Sequence, residues 1–142
     1  MSLRVDYIAL LVLVGVSVSA CTSDHDPATF EALYDDVFAV SCVDGCHSAT
    51  VGAGNLFLEG DRAYDSIVNG NCDDEDAQAA GLVRITPGQP IESFFFLKMV
   101  NPDGMGEIMP PSGMMDDEVL DNIEEWILRG ALEAPVDLPE EE

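Results

Sequence analysis

Two cysteines and a histidine in the stretch "SCVDGCHSAT", residues 41–50, are the side chains of this sequence best suited to chemistry. Cys42 and Cys46 enclose Val43, Asp44 and Gly45, and His47 follows the second thiol directly. Two thiols and an imidazole this close together admit three uses. They can bind a soft metal such as copper. They can enter a disulfide in an oxidising compartment. They can also attach a c-type haem, each thiol adding to one vinyl group while the imidazole is set beneath the iron. The usual attachment spacing has two residues between the thiols, and here there are three. Cys46 and His47 keep the more demanding adjacency, and Gly45 can absorb the extra residue by adopting a backbone conformation that side chains resist.

An iron held by one histidine needs a sixth ligand, and methionine supplies one that raises the reduction potential. Met99, Met105, Met109, Met114 and Met115 all fall within one segment. Methionines also fill irregular gaps in cores. The stretch "GEIMPPSGMM", however, is stiffened by proline and opened by glycine, in the manner of a ligand loop.

These groups need helices to hold them. Asp26 reads as an N-cap with Pro27 at the first helical position, and Phe30, Leu33, Tyr34, Val37 and Phe38 recur at the spacing of one helix face leading into Cys42. Residues 48–113 are broken by glycine and proline into short pieces, one helix around "RAYDSIV" and another in "IESFFFLKMV" after Pro90. The acidic run "NCDDEDAQAAG" reads as a solvated loop without the spacing of a calcium loop. A last helix is capped by Asp116 or Asp117, carries Val119, Leu120, Ile123, Trp126 and Ile127 on its apolar side, and ends at Arg129 and Gly130.

Residues 1–20 read as an export signal: Arg4 gives a weak positive start and Ile8 to Val18 an apolar stretch too short to span a bilayer comfortably. "VSAC" resembles a bacterial lipobox, which makes Cys21 the lipidated first residue of the mature chain. Thr22 follows it where an aspartate would favour the inner membrane, so the expected place is the periplasm or cell surface, with the outer membrane favoured in a Gram-negative cell. Residues 21–29 form a polar tether, 30–133 a single domain, and 134–142 an acidic flexible tail. The full chain has 5 basic and 28 acidic side chains, a net charge of −23. Such a surface excludes nucleic acid; its acids serve as a solvated face or for solubility in high salt, and they admit a basic redox partner without demanding one.

The order of these features resembles the class I cytochrome c domains, in the small exported form where a helix leads to the cysteine motif and a late "MP" precedes a closing helix. The residues that carry the likeness are Cys42, Cys46 and His47, then "GNLFL" and "AYDSIV", then "TPGQPIESFFFLK", then Met109 and Pro110, then Trp126, Ile127, Gly130 and Ala131. The resemblance implies an all-α fold, a small cytochrome c-like helical domain with long Gly/Pro-rich loops around one haem c. It further implies thioethers at Cys42 and Cys46, His47 as proximal ligand, and Met109 as distal ligand. The first and last helices, through Phe38 and Trp126, would wall the haem. Such a protein is a single-electron carrier and not an enzyme.

Two alternatives stay open. Copper would use the same thiols, His47 and a methionine. A haemless, disulfide-stapled interaction module would use Cys42, Cys46 and Cys72 as staples, a Cys42–Cys72 disulfide being the pairing that competes with two thioethers. Arg62, Arg84 and Lys98 could each meet a haem propionate, a surface salt bridge being the simpler expectation for all three. His25 is expected to be solvated.

Overall fold

The computed structural model describes residues 25–100 and 106–134. The expectations for the export signal, Cys21, Met105 and the tail beyond residue 134 lie outside the described residues. Among the described residues the fold is all-α: six α-helices joined by short 3₁₀ and π turns, with one isolated pairing, Val83 to Ser93, in place of any strand.

The first helical run starts three residues later than Asp26 predicts. Thr29 is the cap, its Oγ1 accepting from the Ala32 N–H at 3.2 Å, and α1 spans Phe30–Leu33. Asp26 instead accepts from the Ala28 N–H at 3.0 Å, a local turn bond that satisfies its carboxylate before any helix begins. That bond, ahead of the pairing with Arg129, holds its pKa below the usual carboxylate value. The run passes through a π turn (Tyr34–Phe38) into α2 (Ala39–Ser41), delivering the chain to Cys42. Leu33, Val37 and Phe38 are buried on its inner face, with Phe30 and Tyr34 packed beside them, as the spacing predicts.

The closing helix, α6 (Asp117–Leu128), buries Leu120, Ile123, Trp126 and Ile127. It stops because Gly130 takes φ +100° and its N–H, with that of Ala131, returns to the carbonyls of Ile127 and Trp126, each at 2.9 Å. Arg129 then pairs with Glu125 at 2.8 Å and with Asp26, so the end of α6 is tied to the start of the body. Phe30 joins the two termini within the core, its ring 5.8 Å from that of Trp126 and 5.1 Å from that of Tyr64. The Trp126 indole donates to the Leu132 carbonyl and the Tyr64 hydroxyl to the Ala131 carbonyl, each at 2.9 Å, so neither polar tip is stranded in the apolar interior.

Between the termini lie α3 (Ala63–Val68), α4 (Glu75–Ala79) and α5 (Phe94–Val100). The acidic stretch expected as a loop therefore contains a helix. Asp74 caps it, accepting from the Ala77 N–H at 2.9 Å, and Glu75 and Asp76 sit in its first turn, where negative charge is favoured. Its one apolar anchor is the buried Ala77, too small to register as a periodic face.

Candidate functional site

A cavity of about 410 Å³ opens between the cysteine turn, the 53–58 loop, the Cys72–Asp74 bend, α5 and the 109–115 loop. Cys42, Cys46, His47 and Met109, the four residues that sequence reasoning singles out for a cofactor, all line it.

Local backbone chemistry explains how the longer spacing between the thiols is accommodated. Asp44 (φ −62°, ψ 118°) and Gly45 (φ 76°, ψ −10°) have the dihedrals of the two central residues of a type II turn, which demands positive φ at its second position. A Cβ on Gly45 would meet nothing within 4 Å, so the position requires glycine for torsional reasons and not for space. The His47 N–H then returns to the Cys42 carbonyl at 3.2 Å and closes the loop. One type II turn thus spans the three residues between the thiols, and both cysteines line the cavity.

His47 is held twice. Its carbonyl accepts from the Leu58 N–H at 2.8 Å, and its ring Nδ1 lies 3.3 Å from the Leu56 carbonyl oxygen. An Nδ1–H donated to that carbonyl fixes the tautomer and leaves the Nε2 lone pair as the ring's donor. Cys46 is exposed and Cys42 half-buried, and burial, with a smaller contribution from Cys46, pushes the Cys42 thiol up to about 11. Cys72, buried, lines the same cavity, and all three sulfurs are free thiols.

Met109 stands at the start of the 109–115 loop, pinned where its N–H donates to the Lys98 carbonyl at 2.8 Å. Met115, at the other end, lines the cavity and packs against the core, while Met114 turns outward at 66% exposure. Met99 on α5 is buried and lines the cavity as well.

Several expectations need correction. Phe38 and Trp126 are core residues and do not line the cavity. The aromatic walls are Phe94 and Phe95, and Phe38 backs Phe95 edge-on at 5.6 Å. The helix periodicity marks burial but cannot separate core from cavity. Arg84 is not a surface salt bridge: it is 5% exposed, lines the cavity, and donates to the carbonyls of Ser66, Asn71 and Gly54, the last at 3.2 Å. Burial lowers its pKa, against the opposing pull of Cys72 and Asp73. Its hydrogen-bond partners are neutral carbonyls, and among the described residues no carboxylate makes a direct ion pair with it, although Asp73, on the same cavity lining, acts on it through space. Arg62 stacks over the Phe57 ring at 4.2 Å, away from this cavity, and Lys98 lines it with Nζ 5.8 Å from the Phe94 ring centroid. His25 is exposed, 3.8 Å from Asp36.

Among the described residues no three or more His, Cys, Asp or Glu side chains converge in a way that could hold a metal ion. Cys42, Cys46, His47 and Cys72 nevertheless all line one cavity. Comparison with protein families, with curated proteins and with solved structures finds no match for this chain.

Proposed function

We propose that this protein is a cytochrome c-like single-electron carrier holding one covalent haem c. The observation that carries this reading is that one apolar cavity gathers Cys42, Cys46, His47 and Met109 from two distant parts of the chain. The donor set fits the group: two thiols on one turn, an imidazole with its Nδ1 engaged, and a thioether from a loop 62 residues further along the chain than His47, counted from residue 47 to residue 109. The buried Arg84 guanidinium, which makes no direct ion pair and whose charge would offset part of the repulsion from Asp73 and Asp74 beside it, could meet an anionic propionate at this end of the cavity.

When bound, the haem supplies an iron that cycles between ferric and ferrous states. The chain's residues do the rest. Cys42 and Cys46 would hold the group by adding S–H across its two vinyl double bonds, an addition in which no atom leaves. His47, oriented by Leu56, would hold the iron through its Nε2 lone pair, and Met109 would hold it through a thioether lone pair. Phe94 and Phe95 would offer the group apolar surface, and Arg84 would offset negative charge. No acid or base is required, in keeping with a carrier and not an enzyme. The chain would act as an exported lipoprotein anchored through Cys21, its acidic surface meeting a basic redox partner. Among the described residues no helix is long and apolar enough to cross a membrane.

One observation favours a second reading, the haemless stapled module. Cys72 lines the cavity with Cys42, so a disulfide between them would consume a thioether position. The test is to produce the protein in a host with haem-maturation machinery, take the spectrum after reduction in alkaline pyridine, and measure intact mass. A haem adduct with the band of two saturated vinyls is expected. A band at longer wavelength means one thioether and frees Cys42 for Cys72. A chain without haem whose mass has lost only thiol hydrogens, beside a control cytochrome that matures, overturns the carrier reading.

A further inference from the structure

The 109–115 loop brings to the cavity one methionine more than an iron already held by His47 would use. Met109 and Met115 stand at its two ends and both line the cavity, while Met114 between them is 66% exposed. The loop folds back on itself: the Gly113 N–H donates to the Pro110 carbonyl at 3.1 Å, the Met109 N–H is tied to Lys98 at 2.8 Å, and the far end is anchored by Met115 against the core. Two thioethers therefore reach one cavity from one short, closed loop. Each methionine side chain has three rotatable bonds, so its sulfur can move without a change of backbone.

We infer that Met115 is a reserve axial ligand, donating a sulfur lone pair to the iron in the position Met109 vacates; this rests on the haem reading above. The exchange breaks one sulfur–iron bond and forms another, with no net transfer of electrons or protons. Its use follows from chemistry: Met109 is half-buried, and a peroxide that transfers one oxygen to its thioether, itself reduced to water or an alcohol, leaves a sulfoxide in place of the soft sulfur that would hold the potential high. A second sulfur in the same cavity preserves the coordination after such a loss.

The test compares haem-loaded wild type with Met109→Leu, Met115→Leu and the double variant, reading the long-wavelength sulfur-to-iron charge-transfer absorption of the ferric protein, with intact mass as a check on haem content. Met115→Leu should leave the band unchanged, Met109→Leu should keep most of its intensity, and the double variant should lose it. Loss of the band in Met109→Leu with haem still attached overturns the inference and leaves the carrier reading intact. A band that survives in the double variant also overturns it, pointing to another sulfur such as Met99. If Met109→Leu does not load haem, the loaded wild type is oxidised with mild peroxide and mapped by mass. A band that persists with sulfoxide at Met109 supports the inference, and one that falls in step with Met109 oxidation overturns it. Wild type without covalent haem overturns both readings.

Discussion

The ring Nδ1 of His47 lies 3.3 Å from the carbonyl oxygen of Leu56, nine residues further along the chain. The contact is made possible by the backbone bond from Leu58 N–H to the His47 carbonyl, which runs the two segments side by side. It also leaves one nitrogen, Nε2, for the cavity. In the haem-loaded protein His47→Gly should therefore keep the covalent adduct, because both thiols remain, yet lose the low-spin spectrum. Added imidazole should restore that spectrum by entering the space the ring leaves. Absorbance titration with imidazole checks this. A low-spin spectrum retained by His47→Gly before imidazole is added would show that another residue is the ligand.

Gly45 sets the geometry of the turn between Cys42 and Cys46, and its role there is torsional. With φ at 76° and open space where a Cβ would stand, Gly45→Ala should cost about 1 to 2 kcal/mol of stability, measured as a lower urea midpoint. Gly45→Asn should cost less, since asparagine tolerates that region, and Gly45→Val more. Haem yield should fall in the same order.

The parts of the fold legible in the sequence are those carried by side-chain period and by glycine. The faces of the first and last helices could be read because Leu33, Phe38, Ile123 and Trp126 are large and regularly spaced. Gly45 could be read because two thiols with three residues between them need a turn. α4 was hidden because its only buried residue is Ala77 amid acids, and its cap, Asp74, looked like one more solvated carboxylate. Arg84 was hidden for a different reason. Its partners are backbone carbonyls of Gly54, Ser66 and Asn71, and these carry no sequence signature. Which apolar residues face the cavity, Phe94 and Phe95 instead of Phe38 and Trp126, depends on how the helices cross, and periodicity alone does not set that.

In the haem-free chain the reactivity of Cys42 should depend steeply on pH. The thiolate is the nucleophile, and with the thiol pushed up to about 11 its fraction at neutral pH is very small. Alkylation of Cys42 by iodoacetamide, followed by peptide mass mapping, should rise about tenfold per pH unit until it levels near pH 11. The sign for stability follows from the same shift. The folded chain holds this proton more tightly than the unfolded one, whose value is 9.0, so stability is complete below pH 9.0 and declines as pH rises toward 11. A Cys42→Ser chain should lose that alkaline decline.

Arg84 is the last and most exacting case, because its structural and electrostatic roles can be separated. Arg84→Leu leaves the carbonyls of Ser66, Asn71 and Gly54 without their donor. With a single unsatisfied buried acceptor worth about 1 to 3 kcal/mol and water able to enter from the cavity, a loss of about 3 kcal/mol is expected in denaturant unfolding. In the haem-loaded protein the same change removes a positive charge that disfavours the ferric state, so the reduction potential should fall. Gly70→Ala tests the first role without the second. A Cβ there would collide with the Arg84 guanidinium and the Ser66 carbonyl, disturbing the hydrogen bonds while keeping the charge. It should lower the denaturation midpoint and leave the potential nearly unchanged. Because both substitutions act on one network, the double variant should lose less stability than the sum of the two single losses. A full, additive loss, or a potential that drops as far in Gly70→Ala as in Arg84→Leu, would show that Arg84 does not act as a fixed cation on the cavity wall.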